Sequence, residues 1–358
     1  MNIVIVGAGK VGEELTRSLA KEKHDVVLIE KDGRKLNQLI SMADINGIHG
    51  NGAIYKTQLE AGVDHCDIFI AVTHSDETNI IAAITARKAG AAKTIARVRD
   101  PEFSLQMGFV RETLGITLMI NPELEAATDI ARILQFPFVL DVEQFMNGRV
   151  NIIEVRLGPS SSLVGQSLSQ IKSSGHNILV CIIQRGEEII IPRGDAILME
   201  GDRVHVTGNA EDLMRLFAAD KNARQRLTSA LIIGGGRIIH YLLPMLLKMR
   251  MRVKVIEVEP ESADILAADF PEVEIVCGDG TNQSFLREER MSSYDTVISL
   301  TGIDEENLLL SLFARQQGVP KIITKVNRTD LLKVIDCTNL GSVITPRRLV
   351  ADNIIRFV

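Results

Sequence analysis

The residues best suited to chemistry in this sequence are glycines that follow a short apolar run. Gly7, Gly9 and Gly12 come directly after Asn2–Val6, and Glu30 ends the next apolar run. Between a strand and a helix, the first glycine permits the bend, the second lets a pyrophosphate approach the backbone and the third lets helix and strand pack closely. The amides at the start of such a helix favour an anion.

Glu30 completes this pattern, because its carboxylate can accept hydrogen bonds from ribose hydroxyls and would repel a 2′-phosphate. We therefore predict a dinucleotide site, called here the first cradle. A Rossmann scaffold that has lost its ligand is the alternative interpretation. The expected residues of the first cradle are Gly7, Ala8, Gly9, Lys10, Val11, Gly12 and Glu30.

The same pattern returns later in the chain and predicts a second cradle. Gly234 stands 227 residues after Gly7, and Glu257 stands at the same offset from Glu30. Ile239 replaces the third glycine, so the close helix–strand contact must loosen while the phosphate turn survives. Arg237 replaces Lys10, and its planar guanidinium could meet a phosphate; a structural relic is the alternative. The expected residues are Gly234, Gly235, Gly236, Arg237, Ile238 and Glu257.

Further polar residues follow the third, fourth and fifth predicted strands of each repeat. Ligands of open parallel sheets bind beyond the carboxyl ends of the strands, so these residues are expected near the adenine and phosphates. For the Gly50–Ala53 and Gly278–Thr281 turns, a turn with a helix cap is an equal alternative. For Arg97 and Arg99, which share a strand face, a solvated or interface role is equally open. The expected ligand contacts are Asn51, Thr73, His74, Arg97, Gly278, Asp279, Thr301 and Lys325. Asp76 and Glu77 suit the first turn of a helix, which favours capping.

Alternating strand-like and helical segments predict an α/β fold with two doubly wound parallel Rossmann-type sheets, separated by a small α+β domain. In the small domain we expect strands at Asn151–Arg156, Asn177–Gln184, Glu188–Ile191 and Arg203–Thr207, with hairpin turns at Gly186–Glu188 and Glu200–Asp202. The predicted boundaries are 1–123 for the first Rossmann-type domain, 124–139 for a crossover helix, 140–222 for the small domain, 223–228 for a linker, 229–346 for the second Rossmann-type domain and 347–358 for the start of a second crossover helix. Because Ile354–Val358 repeats Ile130–Leu134, we expect the chain to be truncated before a second small domain.

Composition narrows the possible functions. The 358 residues suffice for two or three domains, and a net charge of −6 argues against a nucleic-acid surface. No apolar run approaches the roughly 18 residues of a membrane span, and Met1 leads directly into a strand, so no signal peptide is expected. Cys66, Cys181, Cys277 and Cys337 are widely separated, which favours reduced thiols in the cytoplasm.

These motifs together resemble the TrkA family, the cytoplasmic regulatory subunits of bacterial Trk potassium-uptake systems. The resemblance rests on the two glycine turns, the Gly278–Asn282 turn, the Arg97–Glu102 segment and the β-rich domain between the repeats. The spacing from Gly165 to Gly208 looks like the C-lobe of RCK domains, which regulate K⁺ conductance. The resemblance implies a homotetrameric ring on the inner face of the cell membrane beneath a TrkH-like channel subunit. It also implies that NAD(H) and ATP or ADP compete for the cradles.

Independently of this resemblance, two cradles without a separate catalytic domain favour a ligand sensor over an enzyme. Hydride transfer requires an acid or base near the nicotinamide. The small domain offers His176 and His205, and His205 alternates with Val204 and Val206 as on the outward face of a strand. An NAD-dependent dehydrogenase is the alternative. A redox-sensing repressor would require a DNA-binding segment, for which Met1 leaves no room upstream.

Overall fold

The structure, a computed structural model, describes residues 1–100, 107–136, 138–145, 150–159, 161–173, 175, 177–217, 227–328, 331–334 and 340–357. The chain divides into two compact units, of which one comprises Met1–Ala126 with Thr345–Val358 and the other Ala127–Ile344. Predictions that concern His176, Cys337, Pro101 and Glu102, and most of the 223–228 linker, lie outside the described residues. In the part of the chain that is described, no helix is long and apolar enough to cross a bilayer.

The first unit contains a six-stranded parallel sheet with the order β3-β2-β1-β4-β5-β6. Its strands are β1 Asn2–Val6, β2 Asp25–Glu30, β3 Asn46–His49, β4 Ile68–Ala71, β5 Lys93–Arg97 and β6 Leu118–Ile120. The helices are α1 Lys10–Lys21, α2 Gly33–Met42, α3 Tyr55–Glu60, α4 Asp76–Ala89 and α5 Met107–Leu114, and α6 Pro122–Gln135 leads onward. The strand order reverses between β1 and β4, and a crevice for ligands is expected at this point. The predicted doubly wound sheet is confirmed.

The chain's last helix, Pro346–Phe357, also belongs to the first unit. Val350, Ala351 and Ile354 are buried in one apolar cluster with Leu15 and Leu19 of α1. The segment predicted as a second crossover helix therefore packs on the first sheet's own helix layer. Burial of this apolar face stabilises the helix far more than its intrinsic propensity does.

The small domain is a five-stranded antiparallel sheet with the order β10-β9-β11-β8-β7. Its elements are β7 Asp141–Phe145, β8 Val150–Arg156, α7 Leu168–Ser173, β9 Ile178–Arg185, β10 Glu188–Ile190, β11 Arg203–Gly208 and α8 Ala210–Phe217. All four predicted strands are present, whereas β7 and α7 are additional. His205 is half-buried between the fully buried Val204 and Val206, which agrees with the predicted outward orientation.

One of the two predicted hairpin turns in this domain is wrong. Residues 186 and 187 do join β9 to β10, since Arg185 pairs with Glu188. Glu200–Asp202 forms a turn that leads into β11, but in the described chain no strand of the sheet lies immediately before it. Asp202 explains this turn, because its carboxylate accepts two hydrogen bonds from Arg185 at 2.8 Å and one from the Met199 amide at 2.8 Å. Burial opposes ionisation of Asp202, but these bonds outweigh it and hold the pKa below its usual range.

The second unit also contains a parallel sheet, with the order β14-β13-β12-β15-β16-β17. Its strands are β12 Ser229–Ile233, β13 Arg252–Glu257, β14 Glu274–Cys277, β15 Thr296–Ser299, β16 Lys321–Lys325 and β17 Ser342–Ile344. The helices after the small domain are α9 Arg237–Lys248, α10 Pro260–Asp269, α11 Gln283–Glu288, α12 Asp304–Gln316, α13 Leu331–Val334 and the terminal α14 Pro346–Phe357. This order matches that of the first sheet strand for strand, so the internal repeat is a repeat of topology as well.

Asp295 binds the residues at the start of β12, the first strand of the second sheet. Its Oδ2 accepts hydrogen bonds from the amides of Thr228 and Ser229 at 2.8 and 3.0 Å and from their hydroxyls at 2.8 and 3.0 Å. Burial raises the pKa of Asp295, but these hydrogen bonds outweigh it and keep the pKa below its usual range. In the first unit, Asp67 at the equivalent place accepts the Asn2 amide at 2.8 Å.

We expect Asp295→Asn to destabilise the second sheet at neutral pH. A carboxyl group with a lowered folded-state pKa contributes stability above its ordinary pKa, and this contribution is lost as the pH falls through the folded value. The loss should be about 1–2 kcal/mol at pH 7 and should shrink below the ordinary pKa of 3.8. Urea unfolding, followed by hydrogen exchange of Ser229–Ile233, measures it. Asp67→Asn is the control and should have a smaller effect; a pH-independent loss in Asp295→Asn would contradict the explanation.

Candidate functional site

The first cradle has the backbone geometry that its glycines predict. Gly7 has φ of 104°, which side chains rarely adopt. A Cβ at Gly9 would meet no atom within 4 Å, so space is open there for a ligand. A Cβ at Gly12 would lie 1.9 Å from the carbonyl oxygen of Gly7, so only glycine lets α1 begin this close to the turn. The bend at Gly7 and the close packing at Gly12 are thus as expected from the sequence, and the approach of a pyrophosphate at Gly9 stays a prediction.

The amino end of α1 lacks a side-chain cap. Gly9 occupies the N-cap position without a capping hydrogen bond, whereas Asp32 caps α2 and Ser75 caps α4. The first amides of a helix have no acceptor within the helix itself. In α1 they are therefore available to an anion, and the helix dipole favours one there. Lys10, at the first helical position, is exposed.

The second cradle keeps the turn but changes the start of the helix. Gly234 has φ of 105°, and Gly236 again caps its helix without a side-chain bond and faces open space. Ile239, with 0% exposure, donates its amide to Gly236 O at 2.9 Å, three residues back. In the first cradle, Glu13 donates to Gly9 O, four residues back, at 2.8 Å. A side chain at the third position is thus accommodated by a tighter first turn, with the phosphate turn retained.

The acid at the end of the second strand of each sheet is bound to its glycine turn. Glu30 accepts the amide of Ala8 with one oxygen and that of Asp32 at 2.9 Å with the other. Glu257 likewise accepts the amide of Gly235 and, at 2.9 Å, that of Glu259. Each carboxylate oxygen has a further lone pair, so contact with ribose hydroxyls stays a prediction. The structure shows that both acids hold the turn in shape.

Two buried asparagines, which the sequence analysis did not include in the site, position its far side. Asn79 accepts the amide of Thr73 at 2.8 Å and donates to Arg97 O at 2.9 Å. In the second sheet, Asn307 makes the equivalent bonds to Thr301, at 2.8 Å, and to Lys325 O, at 3.1 Å. Each asparagine is fully buried and joins the ends of two neighbouring strands. Their recurrence at the same place in both repeats is the signal that could have identified them.

The cations predicted to meet phosphates reach from the fifth strand towards the fourth. Arg97 donates to Thr73 O, and Lys325 donates to Leu300 O at 3.2 Å. Arg97 and Lys325 are therefore positioned at the edge of each cradle. Arg237 and His74 are exposed, and their contact with a ligand stays a prediction.

Asp76 lies in the first turn of α4, as expected, but its carboxylate does not cap that helix. Oδ2 accepts the amides of Arg99 and Asp100 at 2.8 and 2.9 Å, which fixes the segment after β5. Ser75 is the cap and accepts the Thr78 amide at 3.0 Å. The capping interpretation was therefore incorrect for Asp76, because the loop amides of the neighbouring strand compete successfully for its carboxylate.

In the polar turn after the third strand of each sheet, a side chain accepts hydrogen bonds from within the same turn. Asn51 accepts the amide of Ala53 at 3.2 Å. Asp279 accepts the amide and the hydroxyl of Thr281 at 2.8 and 2.7 Å, and the bond from this hydroxyl lowers its pKa. The turn interpretation is thus realised at both places, and contact with adenine stays a prediction. A Cβ at Gly52 would lie 2.2 Å from the Val6 side chain, so the first of these turns lies against the end of β1.

Residues from three loops therefore meet at the carboxyl end of β1. The Gly7 turn lies against Thr73, since a Cβ at Gly7 would be 3.1 Å from the Thr73 backbone, and Glu30 and Gly52 complete the group. Among the described residues, no group of three or more His, Cys, Asp or Glu side chains could hold a metal ion. The fold is that of a protein with two Rossmann-type domains, each with a glycine turn at the carboxyl end of its first strand, separated along the chain by a small antiparallel domain.

Comparison with known families places the chain within this class. The TrkA-N domain model matches residues 3–122 and 230–346, and the TrkA-C domain model matches residues 152–220. The chain belongs to the TrkA family. It is 35% identical, over 99% of its length and 80% of the relative's, to the Trk system potassium uptake protein TrkA homolog of Archaeoglobus fulgidus. That name denotes a potassium uptake protein rather than an enzyme, which agrees with our prediction that the chain is not an enzyme.

Solved structures show the same fold. The GsuK channel bound to NAD has a TM-score of 0.72 and 18% identity, with 99% of this chain and 63% of that chain covered. GsuK bound to ADP has a TM-score of 0.62 and 14% identity, with 99% and 68% covered. At these identities the likeness establishes the fold of this chain.

Glycine substitutions test the geometry of the first cradle. We expect Gly12→Ala to destabilise the first unit by about 2–3 kcal/mol, because its Cβ would overlap a backbone carbonyl that cannot move aside without distorting the turn. Gly9→Ala, which adds a Cβ in open space, should cost less than about 1 kcal/mol. Urea unfolding monitored by hydrogen exchange of Asn2–Val6 compares the two. Equal effects would show that the contact at Gly12 is not restrictive.

Proposed function

We propose that this chain is a nucleotide-sensing regulatory subunit of a potassium uptake system and that NAD(H) binds in its cradles in competition with ATP or ADP. The observation that carries this proposal is the pair of uncapped helices, α1 and α9, each behind a glycine turn that an acid holds in shape. Support comes from membership of the TrkA family and from the NAD-bound and ADP-bound structures of similar fold.

In the proposed complexes, the pyrophosphate lies on the first amides of α1, with Gly9 leaving room for it. Glu30 meets ribose hydroxyls through its remaining lone pairs, which selects NAD(H) over its 2′-phosphorylated form. Arg97 supplies positive charge on the side of Thr73. The second cradle offers the same amides, but its helix begins with the tighter turn that Ile239 imposes. We therefore expect it to bind the same class of ligand with lower affinity.

The proposed output is gating of a membrane partner. In this proposal four chains form a homotetrameric ring at the inner face of the membrane, beneath a TrkH-type channel subunit, and ligands of different size and charge stabilise different ring geometries. A ligand can shift such an equilibrium only through its differential affinity for the two states. Tenfold discrimination is equivalent to about 1.4 kcal/mol per site, so four coupled sites supply roughly 5–6 kcal/mol. That is enough to convert a mostly closed population into a mostly open one.

An introduced carboxylate tests occupancy of each cradle. Gly9→Asp and Gly236→Asp place a negative charge in space that is open to a pyrophosphate, so each should weaken NADH and ATP binding at its own cradle by about tenfold or more. Isothermal titration calorimetry of the two variants assigns the sites. Gly108→Asp, also in open space but outside the cradles, is the control and should leave both affinities unchanged. Unchanged binding in both cradle variants would refute the assignment.

Electrical recording tests the gating role. We expect NADH and ATP to give different open probabilities in single-channel recordings of the chain reconstituted with a TrkH-type channel subunit. The difference should disappear in the Gly9→Asp/Gly236→Asp double variant, because a ligand without a site has no differential affinity. If the wild-type complex shows the same open probability with both nucleotides, the chain binds nucleotides without gating this channel.

A further inference from the structure

A cavity lies in the second unit, and none of the expected residues of either cradle lines it. Its volume is about 660 Å³, within the range of small-molecule sites. The small domain and the second parallel sheet both contribute to it, with Phe138, Leu157 and Val319 among its apolar residues. Its charged lining residues in the described chain are Arg156, Arg315, Lys321 and Glu200. The cavity thus combines an apolar wall with basic side chains.

Lys321 is the most unusual of these residues, because it is buried with 6% exposure. Its ammonium donates a hydrogen bond to Val139 O. Within the described part of the chain, no carboxylate lies within 4.0 Å of it, whereas Lys254, a less deeply buried lysine of the same unit, has Glu274 and Glu289 at 2.7 Å. Burial lowers the pKa of Lys321 to about 7, although the charge of Asp141 acts in the opposite direction. Burial thus disfavours the charged form of this amine, and an anion in the cavity would stabilise that form.

The first unit has a lysine at the same position in different surroundings. Lys93 begins β5 as Lys321 begins β16, and each pairs with the equivalent residue of the neighbouring strand. The Lys93 ammonium lies 4.7 Å from the centre of the Phe357 ring, so an aromatic side chain covers it. The surroundings of this lysine therefore differ between the two repeats.

Ser342 provides an independent observation. It lines the cavity and is 1% exposed, and its hydroxyl has no hydrogen-bond partner among the described residues. The first sheet has Leu118 at the equivalent position, since Leu118 pairs with Ile95 as Ser342 pairs with Ile323. A buried hydroxyl without a partner costs free energy, so its presence beside Lys321 points to a polar occupant.

We propose that this cavity is a binding site, separate from both cradles, for an organic phosphate of about mononucleotide size. Lys321 and Arg315 hold the phosphate, Ser342 donates to it, and the apolar part of the ligand packs against Phe138 and Leu157. Guanidinium and ammonium groups are well suited to this role. Because the walls come from the small domain and from the second sheet, the bound ligand joins these two parts of the second unit and stabilises their present arrangement.

Calorimetry on the full chain with both cradles blocked, Gly9→Asp/Gly236→Asp, tests this site directly. The probes are AMP, inorganic pyrophosphate and citrate, the last as an anion without phosphate. We expect AMP to bind, and Lys321→Met and Arg315→Gln each to weaken it by about tenfold. Arg215→Gln, an exposed arginine of the small domain that does not line the cavity, is the matched control and should change the affinity less than about twofold.

Ser342→Leu introduces the residue type that the first sheet has at the equivalent position, Leu118. It should also abolish AMP binding, because the larger side chain occupies the place of the phosphate. Hydrogen exchange across β16 and β17 verifies that each variant is folded. Absence of AMP binding to the cradle-blocked chain overturns the proposal, as does unchanged binding in folded Lys321→Met or Arg315→Gln. Binding of citrate in preference to both phosphates would overturn the assignment of the ligand class. None of these results depends on whether the cradles bind NAD(H).

Discussion

The close approach of α1 to the Gly7 carbonyl is the constraint on which the first cradle depends. Because Gly12 has no Cβ, the helix can begin beside the turn, which places its first amides at the carboxyl end of β1. Glu30 then fixes the turn from the neighbouring strand, and Asn79 fixes Thr73 from the other side. Contacts within the chain thus fix the backbone of the site, which reduces the conformational entropy to be lost on ligand binding.

The second repeat shows that this backbone arrangement tolerates considerable change around it. Ile239 alters the first helical turn, yet Gly234 keeps the φ of Gly7 to within one degree. The core differs as well: Ser299, Ser311 and Thr324 stand where the first repeat has Ala71, Ala83 and Ala96. Ser311 and Thr324 satisfy each other at 2.6 Å, so the buried hydroxyls are accommodated without a change of topology. Topology and the glycine turn are therefore retained together, while the surrounding side chains have diverged.

The sequence predicted both parallel sheets, the glycine turns and the acids, because each depends on residues close together in the chain. Features that depend on distant partners were missed. The sequence repeat marks Asn79, but its bond to Arg97 O, which joins two strands, is seen only in the fold. Lys321 bonds to Val139, which lies 182 residues away. The turn at Asp202 resembled a hairpin because its residue types suit one, but the carboxylate binds Arg185 across the sheet. Local sequence patterns thus predict the helices and strands, whereas tertiary contacts determine the roles of individual side chains.

The glycine turn and the residues around it are expected to contribute differently to nucleotide selectivity. In the proposed complexes, the linked phosphates of NAD(H) and of ATP both lie on the helix amides, which contribute affinity to either ligand. Equal affinity shifts no equilibrium, however tight the binding. If both ligands bind the glycine turn, discrimination between them must arise from contacts outside that turn. Arg97 lies at the edge of the first cradle and Lys325 at the edge of the second. A planar guanidinium and a compact ammonium bind phosphate groups in different geometries. Nucleotide selectivity is accordingly expected to reside at the ends of the fourth and fifth strands, and the glycine turn to be a common anchor.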